Sequence, residues 1–91
     1  FNQTLPKVND SVVRIGVFEE GDFHWHKHDN DDEFFFVLEG KFLIDLENQT
    51  IELNPMQGVT ITKGVMHRPR AIGLKTVVLM VETASIVPTG D

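Results

Sequence analysis

Apolar and polar positions alternate with a period of two through most of the chain. Val12 to Phe18 is β-branched and apolar and stops at Glu19-Glu20-Gly21-Asp22, a turn by composition. Phe23 to His28 alternates rings and imidazoles, and Asp29-Asn30-Asp31-Asp32 reads as a loop. Glu33 to Glu39 is a run of aromatic and branched residues ending at Gly40. Phe42, Ile44 and Leu46 alternate with Leu43 and Asp45, and Ile51 and Leu53 resume after Glu47-Asn48-Gln49, which predicts a hairpin. Asn54-Pro55 is a further turn, and Val59 and Ile61 alternate with Thr60 and Thr62. Gly64 interrupts, a short segment follows near His67, Thr76 to Glu82 forms a last strand, and Pro88-Thr89-Gly90 is a tail. No window keeps apolar residues at i, i+3, i+4 and i+7 over about 11 residues, so no helix is predicted. About eight short strands at a spacing of roughly 8–12 residues predict an all-β sandwich or barrel.

The chain has 91 residues, of which 41 % are apolar and 24 % charged. That size and balance predict one globular domain over residues 1–91, with an ordered core at about 8–87. Eight Lys and Arg against fourteen Asp and Glu give a net charge of −6. A nucleic-acid partner is not expected, because neutralising phosphates needs clustered positive charge. Docking on an anionic membrane is disfavoured for the same reason, and the longest apolar runs, Phe34 to Leu38 and Val77 to Val81, are far short of the ~20 residues that span a bilayer. Cysteine is absent, which excludes disulfides, thiolate ligands and a cysteine nucleophile; tyrosine is absent too. No charged segment followed by an apolar one opens the chain, so a cytoplasmic location is the expectation.

Charge is unevenly spread. Glu19 to Glu33 holds seven acids and one Lys, whereas Lys63 to Lys75 holds four basic residues and no acid. Either these are two solvated faces, or the second is a basic rim for an anionic ligand.

The specific chemistry lies in the histidines. His24, His26 and His28 alternate with Trp25 and Lys27, and alternate residues of a strand share a face. His26 and His28 would then project side by side, close enough to share a cation, and neutral imidazole is a common ligand of transition metals. Glu33 opens the next strand and supplies a carboxylate that offsets metal charge; a fourth ligand from another strand would be His67. Taken singly, each has a plainer reading: a surface pair, a solvated strand start, a turn cap. Together, in an all-β chain, they point to one metal site made of His26, His28, Glu33 and His67.

These residues resemble the first motif of the cupin family, Gly-x5-His-x-His-x(3,4)-Glu-x6-Gly. His26, His28, Glu33 and Gly40 match with every spacing from the first His onward, while Gly21 lies one residue too close. The second motif, Gly-x5-Pro-x-Gly-x2-His-x3-Asn, is matched at Gly64 and His67; Met56, Thr62 and Ala71 replace its first Gly, Pro and Asn. Fifteen residues, Lys41 to Pro55, separate the motifs, as in a small cupin. The resemblance implies a double-stranded β-helix, a jelly-roll barrel, with the four ligands pointing inward around manganese, iron, nickel or zinc.

Around the site, His24 shares the predicted ligand face and reads as a residue at the barrel mouth or behind a ligand. Trp25 and Lys27 point away, with Trp25 packing on another sheet or a partner. Phe35 and Val37 share the face of Glu33 and line the barrel, while Phe34, Phe36 and Leu38 face outward. That outward face predicts a homodimer; the alternative is packing against Val12 to Phe18. Arg68 and Arg70 suit a carboxylate or phosphate, or are solvated.

Two functional classes follow from the resemblance. The first is a metal-dependent enzyme acting on a small molecule, as isomerase, dioxygenase, decarboxylase or lyase. The second is a metal- and ligand-binding or sensory module without turnover. The sequence assigns no catalytic residue and shows no Gly-x-x-x-x-Gly-Lys phosphate loop.

Overall fold

A computed structural model of the chain describes residues 2–21 and 24–84. Among them are six strands and no helix: β1 (Asn2–Val8), β2 (Ser11–Phe18), β3 (Glu33–Asp45), β4 (Thr50–Leu53), β5 (Gly58–Ile61) and β6 (Arg68–Thr83). All pairings are antiparallel, in the order β1-β2-β6-β3-β4, with β5 also on β3. The first half of β3 pairs with β5, from Glu33↔Ile61 to Phe36↔Gly58; its second half pairs with β4, from Phe42↔Leu53 to Asp45↔Thr50. Strand β6 accompanies β3 almost throughout and carries β2 on its other edge.

The strands are fewer and longer than the alternation predicts, and the reason is Gly40. A glycine after an apolar run reads as a strand end, but here it is a bulge. Register shifts on both sides of Glu39, and Gly40 has φ +84°, so β3 bends and continues to Asp45. A Cβ at Gly40 would lie 2.5 Å from the Lys75 carbonyl oxygen, so the bend also needs a bare backbone. Strand β6 likewise runs on through Gly73, φ +89°. Strand β1 is an addition: it pairs with β2 across a register shift between Thr4 and Lys7, the interval that contains Pro6. The predicted strand from Phe23 to His28 is reduced to one bridge, His26↔His67; Phe23 and the tail at Pro88-Thr89-Gly90 lie outside the described residues.

Parity sorts the interior. Glu33, Phe35 and Val37 are buried, while Phe34 and Phe36 are half-buried and Leu38 is exposed. The alternate residues Thr76, Val78, Met80 and Glu82 of β6 are buried beside them, in the register Glu33↔Glu82, Phe35↔Met80, Val37↔Val78. Phe42, Ile44, Leu53, Ile61 and Ala71 complete the core, with Phe18 against Phe42. Each fully buried large side chain contributes about 1.5–3 kcal/mol. The buried column is therefore apolar along most of its length and polar where Glu33, Glu82, His28 and His67 gather.

The outward aromatics are covered in part by the chain itself. The rings of Phe34 and Phe36 stack at 6.2 Å and close over Gly58 of β5, where a Cβ would meet the Phe34 ring at 2.8 Å. The covering element is therefore β5, not Val12 to Phe18, which lies along β6.

Candidate metal centre

Three chain segments meet at the polar end of the interior. Strand β3 delivers Glu33 at its first residue. The extended stretch before the Asp29-Asn30 bend delivers His26 and His28, and His67 directly precedes β6. Backbone bonds lock the segments together: the amides of His26 and His67 donate to each other's carbonyls, each at 2.9 Å, and the Gly64 amide donates to the His28 carbonyl at 2.7 Å. Gly64 has φ +82° with open space where a Cβ would stand, so glycine serves the dihedral angle there and not a close approach.

One donor atom each from His26, His28, Glu33 and His67 lies within 4.8 Å of the other three. The His26 ring centroid is 4.4 Å from that of His67 and 5.2 Å from that of His28. The Nε2 atoms of His28 and His67 are 3.5 Å and 3.8 Å from the Glu33 Oε1. The four residues singled out in the sequence are thus brought together. His28, Glu33 and His67 are buried, His26 is half-buried, and the Phe35 ring lies beneath His67 at 6.3 Å.

Backbone carbonyls fix two tautomers. His67 Nδ1 donates to the Val65 carbonyl at 2.8 Å and His26 Nδ1 to the His24 carbonyl at 3.2 Å. A carbonyl only accepts, so Nδ1 carries the hydrogen in both rings and Nε2 is the nitrogen left to ligate a metal. Burial pushes His26 below the ordinary imidazole value; the His24 carbonyl opposes this, and the His67 and His28 rings add to it. The ring is therefore neutral near pH 7, as a metal ligand must be.

The buried donors lack partners. His28 Nδ1 and Nε2, His67 Nε2 and Glu33 Oε1 make no hydrogen bond. Each such atom costs about 1–3 kcal/mol when buried unmet. Lone pairs facing one another around a carboxylate are what a bound cation satisfies, so the residues fit a divalent transition metal held by three imidazoles and one carboxylate.

Two further groups, the buried Glu82 and the half-buried Arg14, adjoin the centre, and their part in it is not evident from the local sequence pattern. Glu82 is 5 % exposed and stands directly opposite Glu33 in the ladder between β3 and β6. Arg14 Nε lies 2.7 Å from Glu82 Oε1, with its N–H not aligned for a hydrogen bond, so that contact is one of charge. Burial and the neighbouring Glu33 push the Glu82 carboxyl up to about 8, against the pull of Arg14. Burial works to raise Glu33 as well, but the His67 ring, the Glu82 carboxyl and His28 outweigh it, and Glu33 moves down. The signal was available: in Thr76-x-Val78-x-Met80-x-Glu82 the acid keeps step with the core residues.

The chain has counterparts among known proteins. Residues 14–82 match the family model of the cupin domain (Cupin_2). The chain belongs to the cupin family. This cupin is 43 % identical over 82 residues to the uncharacterized protein YdbB of Bacillus subtilis, covering 89 % of this chain and 71 % of that one. A crystal structure of a cupin-2 domain containing protein from Shewanella frigidimarina superposes with a TM-score of 0.86 at 30 % identity, over 91 % of this cupin and 79 % of that chain. KdgF from Halomonas superposes at 0.81 with 20 % identity, over 90 % and 76 % of the two chains, and shows the fold alone. The fold is the double-stranded β-helix, all antiparallel, that the motif resemblance implies.

The motif departures have local consequences. Met56, at the family's first glycine of the second motif, still adopts φ +69°, a left-handed angle that strains a residue with a Cβ. Thr62, at the proline position, accepts the Val65 amide at 3.2 Å and closes the turn before His67.

The remaining sequence candidates are placed as follows. His24 and Trp25 are exposed, and the Arg68 guanidinium sits 5.3 Å from the Trp25 ring centroid. Within the chain Trp25 thus meets the arginine that opens β6. Arg68 and Arg70 both bind Asp45: Arg68 Nε and Arg70 Nε reach Oδ2 at 2.9 Å and 2.6 Å, and Arg70 Nη2 reaches Oδ1 at 2.8 Å. The carboxylate they suit is internal. With Lys75 3.4 Å from Glu39, three of the four basic side chains of that stretch pair with two carboxylates of the chain itself.

Proposed function

We propose that this cupin is a metal-dependent protein that binds a small metabolite at a divalent transition metal held by His26, His28, Glu33 and His67. The observation that supports it most is the convergence of four donor atoms within 4.8 Å, three of them on buried side chains with unmet hydrogen-bonding capacity. Manganese, iron, nickel and zinc all suit the donor set, and affinity alone does not choose among them.

Such a metal supplies Lewis acidity toward a carbonyl or enolate oxygen, or a site for dioxygen. The chain's own residues do the rest. The Val65 and His24 carbonyls hold two imidazoles in the tautomer that presents Nε2. Phe35 shields His67 from below. The Glu33 carboxylate lowers the net charge of the loaded centre. The chain lacks Cys and Tyr, so a proton at the mouth would pass through His24 or an acid of the mouth loop.

Catalysis as isomerase, dioxygenase, decarboxylase or lyase is the first reading. A binding or sensory module without turnover is the second. Metal-loaded protein incubated with small acids, enols and thiols separates them, with oxygen uptake and product analysis as readouts. Turnover lost on metal removal supports the enzyme; binding of a metabolite that is recovered unchanged supports the module.

Among the described residues no helix is long and apolar enough to cross a membrane. Cytoplasmic residence and the absence of a nucleic-acid partner are part of the proposal, the latter supported by a net charge of −6. So is a homodimer through Phe34, Phe36 and the 41 %-exposed Leu38. A sedimentation mass of one chain, unchanged by Leu38→Asp, would refute the dimer.

A further inference from the structure

We propose that Glu82, braced by Arg14, is a positioning residue of the centre: it holds the Glu33 carboxylate with its free oxygen turned toward the histidines. The inference rests on the reading of His26, His28, Glu33 and His67 as ligands and extends it to two residues outside that set.

Register does the first part. Glu33 on β3 and Glu82 on β6 are directly opposed in the ladder, with both side chains in the interior at 7 % and 5 % exposure. The next opposed pair on that face is Phe35 and Met80, both buried, so the two carboxyl groups have an apolar wall on one side. As directly opposed residues of the ladder their side chains are neighbours, and Glu33 leaves Oε1 without a partner, facing His28 at 3.5 Å and His67 at 3.8 Å. Glu33 is thus flanked by Glu82 and presents an unpartnered oxygen to two imidazoles.

Arg14 does the second part. It sits on the face of β2 shared with the buried Val12, its side chain is only 21 % exposed, and its Nε is 2.7 Å from Glu82 Oε1. A cation placed there holds Glu82 in position beside Glu33. Partners that orient a ligating carboxylate typically set metal affinity by about 10–100-fold.

Equilibrium titration of the metal-free protein with Co(II) alone tests this, read by affinity and by the visible absorption bands that report coordination geometry. The variants are Glu82→Gln, Glu82→Leu and Arg14→Met, each checked for folding by circular dichroism. Glutamine keeps the shape and a polar head that can hydrogen-bond Glu33, so Glu82→Gln stays within about 3-fold of wild type with the same spectrum. Glu82→Leu loses about 10–100-fold and shifts the bands. Arg14→Met loses affinity in the same direction with the same spectral change, and decides the matter if Glu82→Leu does not fold. Wild-type affinity and spectrum in Glu82→Leu, or in Arg14→Met where leucine unfolds the chain, overturns the proposal, as does a Gln variant as weak as the Leu one. A wild-type protein that takes up no Co(II) removes the ligand reading and this inference together.

Discussion

The main chains of His26 and His67 are joined twice, each amide donating to the other's carbonyl at 2.9 Å. This isolated bridge seats the first histidine segment on the residue just before β6 and brings the two rings to 4.4 Å between centroids. The scaffold of the centre is therefore backbone, and the imidazoles are cargo on it.

That separation has a measurable consequence. Trimming His26 to Ala leaves both backbone bonds in place, so the metal-free variant keeps its unfolding free energy to within about 1 kcal/mol. Added metal behaves differently. A ligand at 100 times its Kd stabilises the native state by about 2.7 kcal/mol, and this gain should appear in wild type and be strongly reduced in His26→Ala. Urea unfolding with and without Zn(II) or Ni(II) measures both quantities.

Two glycines with nearly the same dihedral angle should respond differently to alanine. Gly40 and Gly64 have φ +84° and +82°, but a Cβ at Gly40 meets the Lys75 carbonyl at 2.5 Å while one at Gly64 meets nothing within 4 Å. Gly64→Ala pays only the left-handed cost, about 1–2 kcal/mol. Gly40→Ala adds a backbone clash at the bend of β3 and should lose at least about 1–2 kcal/mol more. Denaturant midpoints at constant slope give the comparison; equal losses would mean the close approach to Lys75 relaxes freely.

Met56 offers the opposite change. Its side chain is 71 % exposed and its φ is +69°, so it carries strain with little packing in return. Met56→Gly should raise stability by up to about 1 kcal/mol, the strain relieved less the extra freedom of glycine in the unfolded chain. Met56→Ala keeps the Cβ and should show no such gain.

Asp45 makes stability fall in acid. Its carboxylate is held well below the usual carboxylate range, first by hydrogen bonding from Arg70, then, against the effect of burial, by Thr50 and Arg68. A group whose folded value is depressed contributes fully above its unfolded value near pH 4 and progressively less as pH falls through the folded value. Wild type should therefore lose stability steeply below about pH 4. Asp45→Asn should be less stable at pH 7 and flatter in acid, as read by chemical unfolding at stepped pH. A wild-type acid limb unchanged in Asp45→Asn would contradict the assignment.

The sequence exposes the centre better than the frame around it, and particular residues show why. His26, His28, Glu33 and Gly40 lie close in the chain, so their spacing alone carries the pattern. The clamp of Arg68 and Arg70 on Asp45 depends on a register between distant strands, Asp45↔Arg68 and Leu43↔Arg70, that no local pattern encodes. Gly40 has the composition of a stop and the conformation of a bulge, so one bent strand reads as two. Strand β1 escapes because Pro6 and its polar neighbours break the alternation. Glu82 was legible by parity but reads as the solvated end of a strand until Glu33 is seen opposite it.

Metal analysis of the protein purified from metal-replete cells, beside the His26→Ala/His28→Ala double variant, tests the four-residue centre most directly. About one equivalent of a divalent transition metal per wild-type chain and essentially none in a folded double variant is the predicted result. Metal retained at wild-type stoichiometry in the double variant would contradict it.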